Sequence, residues 1–284
     1  MQNTELRVWN TGRSDLVAPE SEGKGVSPLN DTQRARGTQR KKGVSRFIEV
    51  LLAEYRGLVK LNLLFCAFAL PSAVVFLLGL LGYYSGVALL LSLVAAFPIG
   101  GAVVAYMFCI TRMLRDEPGY IWSDFKRKFT ENIMQAAVPG ILCVAFVYAQ
   151  VYLWGPFLFS GAHINVVWYI PGIVFLLVFG MVTPYVFLQV AYVELKTKQI
   201  IINSLILSFA SAPRSFMGVA MGSSFWVAFL LLLPESLVVA PLLLLIGFSL
   251  SWLLTLMWVW PPVNLQFSIE ETLNAGCDTK SPLT

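Results

Sequence analysis

RMLRDEPGYIWSDFKRKFTENIMQ, residues 112–135, is a charged island between two long apolar runs, and its position sets the sidedness of the whole chain. From Trp122 onward, Phe125, Phe129 and Ile133 recur at helical spacing, while Asp124, Arg127, Lys128 and Glu131 fall on the opposite face. The pattern predicts an amphipathic helix lying along a membrane surface. Asp124 with Lys128 and Arg127 with Glu131 stand at i,i+4, pairs that each add a few tenths of a kcal/mol at most. An ordinary connecting helix packed under a bundle is one reading of such a segment. The other is a docking surface, with Trp122, Phe125, Lys126, Arg127, Lys128 and Phe129 as its contacts.

The flanking runs define the solvent. Of 284 residues, 57% are apolar and only 13% charged. With a mean hydropathy of +0.71, this lies outside the range of soluble domains. Six apolar blocks, near 58–83, 86–111, 133–155, 166–192, 216–233 and 237–260, approach or exceed the roughly 20 helical residues that a hydrocarbon core requires. A tight turn at 82–85 joins the first two, and Pro234, Glu235 and Ser236 join the last two. The expected fold is all-α: a polytopic bundle of six transmembrane helices with cytoplasmic amphipathic helices. Pro71, Pro98, Pro139, Pro171, Pro184 and Pro241 fall within these blocks and predict kinks. Gly100, Gly101 and Gly140 fit close helix approach.

All 20 basic residues lie on four segments: the first 60 residues, the 112–132 loop, the 193–215 loop and the C-terminal end. The three opposite connections have none, so the positive-inside rule places both termini and both charged loops in the cytoplasm of a cell membrane. Residues 1–42 are polar, lack an apolar run, and are expected to be a disordered basic tail without a secretory h-region. Their last stretch, RARGTQRKKG, is a polybasic run next to the bilayer, either a topology signal alone or a lipid-attracted segment. The membrane domain is then 43–262, and 263–284 a short cytoplasmic tail. Between 45 and 58, Phe47, Ile48, Leu51, Leu52, Tyr55 and Leu58 describe a second surface helix, with Arg46, Glu49 and Arg56 on its wet side. Tyr83, Tyr84, Trp154 and Trp168 would form the outer aromatic belt, and Tyr55, Trp122, Tyr192, Trp258 and Trp260 the inner one.

No Asp, Glu, Lys, Arg or His falls well inside a block, which argues against ion-coupled transport. The polar groups at depth are Asn62, Gln150, Thr183, Gln189 and Thr255, suited either to interhelical hydrogen bonds or to binding a hydroxylated solute. No HExxH, GxSxG, Walker A or helix-opening GxGxxG motif is present, and Asp116 with Glu117 and Glu270 with Glu271 look like solvated caps and tails. The expectation is a non-enzyme without metal or cofactor. Cys66, Cys109, Cys143 and Cys277 include no CxxC pair, and His163 stands alone. The charge of +4 is placed for membrane topology, not for nucleic acid. The chain sets no oligomeric state.

The runs RFIEVLLAEYRGLVKLNLLFCAFALP and RMLRDEPGYIWSDFKRKFTENIMQAA, with LKTKQIIINSLILSFASAPRSF later on, resemble the YesL-like family of bacterial membrane proteins over residues 47–260. Asn62 to Phe65, Leu70, Pro71, Trp122, Asp124, Phe125, Phe129, Asn132 and Gln135 carry the likeness. The separation of Pro71 from Pro98 and Gly100 departs from the family pattern, as does the tail. The family has no established activity. What the resemblance implies is a role accessory to carbohydrate uptake by a binding-cassette transporter, with transporter subunits as partners at the cytoplasmic face. A permease lined by Asn62, Gln150, Thr183 and Gln189, or a scaffold with a lipid-reading tail, are the alternatives.

Overall fold

The computed structural model describes residues 44–82, 85–160, 169–231 and 240–270. They form eight α-helices and no strand: α1 Val44–Leu80, α2 Ser85–Ala95, α3 Phe97–Leu114, α4 Ile121–Ser160, α5 Tyr169–Tyr192, α6 Thr197–Ala210, α7 Ala212–Leu231 and α8 Ala240–Phe267. Five helices are long and apolar enough to cross a membrane, or six if α6 and α7 count as one broken span. This is an all-α polytopic bundle, as the apolar blocks predict. The tail, Tyr83, Tyr84, His163, Trp168, Pro234, Glu235, Cys277 and Lys280 lie outside the described residues.

The core is built around α3, where every residue from Ile99 to Met113 is buried. Small side chains make this possible, because Gly100, Gly101, Ala102 and Ala105 let neighbouring helices approach from several sides. Gly100 of α3 and Gly140 of α4 cross backbone to backbone. A Cβ at Gly140 would lie 2.6 Å from the Gly100 nitrogen, and one at Gly100 would lie 3.1 Å from the Gly140 Cα. The close approach read from these glycines is what the structure uses. The next residue, Gly101, leaves room for Phe129 and Ile133.

The second expected span is divided. α2 ends at Ala95 and α3 restarts with Pro98 in its first turn, where a missing N–H costs no helical bond. Helix runs unbroken through Pro71, Pro139 and Pro184; a further break is at Glu54, whose φ of −114° and ψ of 18° leave the helical region. Gly82 ends the first hairpin with φ +91°, a conformation glycine adopts without a Cβ penalty.

Outside the core the sorting is that of a protein in lipid. Leu70, Leu77, Leu81, Leu90, Val94, Val138, Leu142 and Phe175 face outward, while Asn62, Ser72, Ser92, Gln189 and Ser249 are buried. Asn62, Ser72, Gln189 and Ser249 each meet a partner on a neighbouring helix, and Ser92 Oγ donates to Leu89 O of its own helix at 2.7 Å. Asn62 Oδ1 accepts from the Ser249 backbone N–H at 3.1 Å, and Ser249 Oγ donates to Leu58 O at 2.7 Å while accepting from Tyr106 OH at 2.8 Å. Ser72 Oγ donates to Ser92 O at 2.8 Å and lies 2.6 Å from Tyr148 OH, whose ring stacks on Phe76.

Candidate functional site

The start of α1, the end of α3, the start of α4 and the ends of α5 and α8 meet at one end of the bundle, and their charges face each other. Arg46, buried, donates to Asp116 at 2.6 Å and to Leu114 O at 2.8 Å, and pairs with Glu49 at 3.3 Å. Asp116 stands at φ +59°, in the left-handed turn that closes α3, with Glu117 N donating to Arg112 O at 3.2 Å and Asp116 N to Met113 O at 3.2 Å. Arg112 pairs with Asp124 and donates Nη2 to Gly119 O at 3.1 Å.

Arg115 is enclosed more fully. Its guanidinium donates to Glu117 at 2.9 Å and sits 5.3 Å from the Tyr192 ring centroid and 5.1 Å from that of Trp260. Tyr192 OH in turn lies 2.5 Å from Thr111 Oγ1, and Trp260 Nε1 donates to Glu270 at 3.1 Å. Glu270 is held by its backbone N–H on Asn264 Oδ1 at 2.9 Å, after a turn at Ser268 that tucks Ile269 into the core. The segment expected as a tail after residue 262 is thus helix to Phe267 and then a hook, with Val263 buried.

The 112–135 island is placed differently from the expectation. The island forms no separate surface helix: α4 runs without a break from Ile121 to Ser160, about 60 Å at 1.5 Å per residue. Its apolar stripe turns inward, because α1 and α3 offer it aromatic and glycine surfaces. Phe129 stacks on Phe68 at 4.7 Å, and Phe125, 2% exposed, stacks on the same ring at 6.0 Å. Lys128 was expected on the wet face. It is buried, 5.0 Å from the Phe108 ring centroid, and pairs with Glu131 at 3.2 Å. Lys128 lies in the charged turns before the apolar stretch of α4, and burial lowers its pKa while Glu131 opposes the shift. The ion pairs are Arg127 with Asp124 at 3.2 Å and Lys128 with Glu131, both i,i+3, in place of the two i,i+4 pairs expected. Of the six docking candidates, Phe125 and Lys128 are closed off, Arg127 and Phe129 are half-buried, and Trp122 and Lys126 face outward.

The first surface helix is also turned. Arg46 faces in, while Ile48, Leu52 and Tyr55 face out. In the expected inner belt, Tyr55, Trp122 and Trp258 are exposed, but Tyr192 and Trp260 are buried around Arg115. Asp116, Glu117 and Glu270, expected as solvated caps, are all engaged.

The polar candidates at depth do not converge. Asn62 ties α1 to α8. Gln150 ties α4 to Gly172 O of α5 at 3.4 Å and accepts from Trp154 at 2.9 Å. Thr183 bonds Phe179 O of its own helix at 2.7 Å, and Gln189 donates to Ser204 of α6 at 2.9 Å. Thr255 bonds Gly218 O at 3.2 Å, across the α7–α8 contact. Among the described residues no group of three or more His, Cys, Asp or Glu side chains is arranged to hold a metal ion.

Sequence reasoning missed the contacts of Arg46 and the burial of Tyr192 and Trp260 around Arg115, since those partners lie some 70 to 145 residues apart and leave no local signature; it also missed Arg112 and Asn264, whose partners are 6 to 12 residues away but across a turn. Gly218 and Gly222 did carry a signal, a GxxxG spacing, and they form the close α7–α8 contact with Ser251 and Thr255.

Fold and site together define a multi-pass membrane protein with an ion-paired, aromatic-lined end. No protein-family model, curated protein or solved structure matches the chain.

Proposed function

We propose that this chain is a non-enzymatic protein of the cell membrane, with both termini and the charged end in the cytoplasm, acting as an accessory subunit of a binding-cassette carbohydrate importer. The carbohydrate link comes from the YesL-like resemblance. The observation that supports a docking role is the inward bracing of the charged end. Its cations are held by carboxylates, carbonyls and rings of neighbouring segments, which leaves Tyr120 and Trp122, 81% and 64% exposed, with Lys126 on a rigid base. Exposed aromatics beside a cation, fixed by a braced support, are the kind of anchor that partner recognition uses. The distribution of basic residues supports the cytoplasmic placement.

The permease alternative has less support, because Asn62, Gln150, Thr183 and Gln189 serve different helix contacts instead of lining one path. The test is gentle solubilisation of the full chain and identification of copurifying proteins, repeated with Trp122→Glu plus Lys126→Glu. Loss of importer subunits from the double variant is expected; an unchanged set of partners, or a Lys126→Cys thiol labelled from outside intact cells, refutes the reading.

A further inference from the structure

α6 was expected to be part of a cytoplasmic loop. It is a helix whose faces are reversed relative to a helix in water: Ile200, Ser204 and Ser208 are its buried residues, while Ile202, Leu205, Ile206 and Phe209 are between 46% and 61% exposed. The buried hydroxyls are used internally, Ser204 by Gln189, and Ser211 and Ser215 just beyond by Tyr185 OH at 2.8 and 2.9 Å. The apolar stripe has no covering element among the described residues.

Length and direction say what kind of surface covers it. At 1.5 Å per residue α6 is about 21 Å long, too short for a core of about 30 Å, while α7, with 20 residues, reaches about 30 Å alone. The two helices are bent by 95°, so with α7 along the membrane normal α6 runs in the membrane plane. It begins at the charged end, where Leu195 O accepts from Gln135 at 2.6 Å. It finishes beside Tyr185, about 10 Å further down α5 than Tyr192. That slope fits the roughly 5–10 Å depth of interfacial helices. Charge names the leaflet: Lys196 and Lys198 stand at one end of the stripe, beside the exposed Glu194, and Arg214 stands exposed at the other, a net charge of +2 over residues 194–231.

We propose that α6 is an in-plane lipid helix, its Ile202, Leu205, Ile206 and Phe209 in the acyl boundary of an anionic leaflet and Lys196, Lys198 and Arg214 on lipid phosphates. This is independent of partner docking through Trp122 and Lys126.

The test places a bimane fluorophore on Ile206→Cys in the full chain with Cys66, Cys109, Cys143 and Cys277 replaced by alanine. The protein is reconstituted in vesicles of phosphatidylcholine and phosphatidylglycerol, one or the other with brominated chains. Both lipids quench, the anionic one preferentially, and the preference weakens at high salt. Neutralising a cation lowers it by up to about fivefold, the equivalent of about 1 kcal/mol near an anionic surface, and K196Q/K198Q/R214Q brings the two lipids to parity. Equal quenching by both lipids in the unneutralised protein overturns the proposal, as does quenching by aqueous iodide alone. Silence from both lipids overturns it in favour of a protein partner on this face. In the unsubstituted chain, amide exchange over 197–210 slows in phosphatidylglycerol nanodiscs relative to phosphatidylcholine; equal rates also overturn the proposal.

Discussion

Replacing Gly100 or Gly140 by alanine tests whether the α3–α4 crossing holds the bundle together. A Cβ at Gly140 arrives 2.6 Å from the Gly100 nitrogen, and one at Gly100 arrives 2.7 Å from the Ala136 carbonyl carbon. Ordinary contact is about 3.5 Å, and the Ala136 carbonyl oxygen and the Gly100 Cα lie nearer still, so the helices must part by at least about 0.9 Å, and a gap of that size forfeits up to about half of each dispersion contact across the interface. Both obstacles are backbone atoms, so no rotamer change relieves them. Overpacking of this kind costs about 1–3 kcal/mol, against which alanine's helix preference returns up to about 1 kcal/mol. The expected net loss is about 1–2 kcal/mol for either variant. Gly155→Ala, also in α4, is the internal control: nothing among the described residues lies within 4 Å of its Cβ, so only the propensity gain remains. Reversible unfolding in mixed micelles, with the midpoint followed by circular dichroism, separates the cases. Equal shifts for Gly100→Ala and Gly155→Ala would refute the claim that backbone contact at Gly100 governs stability.

Three further substitutions probe other joints. Asp116 serves Arg46 from a left-handed backbone, so stability in the same unfolding assay should fall in the order Asp, Asn, Gly: asparagine keeps an acceptor and tolerates that φ, while glycine relaxes the turn but leaves Arg46 without its 2.6 Å partner. The carboxylate is more than half exposed, so the loss for glycine is about 1 kcal/mol at most, and a more stable glycine variant would show that backbone strain dominates. Arg115→Lys keeps the charge but not the planar group between Tyr192 and Trp260, and should cost about 1–2 kcal/mol; a double-mutant cycle with Trp260→Leu should show coupling, and additivity would rule out the ring contact. Gly222→Ala collides with the Thr255 hydroxyl, a side-chain atom, so Thr255→Ala should partly restore it, whereas no side-chain truncation restores Gly100→Ala.

The apolar blocks and the glycine crossing were legible because each depends on residues close in sequence: a run of some twenty apolar side chains, or small residues in a run of large ones. The facing of the amphipathic segments was not. Periodicity at Phe125 and Phe129 shows that a stripe exists, but what covers it is decided by Phe68 and Gly101, on other helices. The same holds for Arg46, whose inward turn depends on Asp116 seventy residues away. The helix at 197–210 was obscured by its lysines, which marked the region as a loop, and by serines that point inward.

Which way each stripe turns is itself informative, because water and lipid sort side chains oppositely. Along α4 the rule changes within one turn: Phe125 and Phe129 face the core, while from Met134 the outward positions are Met134, Val138, Leu142 and Val147, each more than half exposed. A single solvent cannot select both patterns on one straight helix, so the apolar layer begins near Ile133. The start of α1, with Arg46 inward and Ile48, Leu52 and Tyr55 outward beside exposed Glu49, Glu54 and Arg56, follows the pattern of the lipid interface, and α6 follows the lipid pattern. Arg46 therefore faces Asp116 because its alternative is lipid, where an unpaired guanidinium is costly. The ion-paired end is what allows these two segments to show lipid an apolar surface without abandoning their charges. Arg46→Leu with Asp116→Leu should then leave α1 in place, provided Leu114 O finds no worse partner than it has lost, whereas Asp116→Leu alone should pull Arg46 toward the headgroups and expose Val50 to labelling as a cysteine variant. If Val50→Cys labels equally in the single and double variants, the lipid-pattern account of α1 fails.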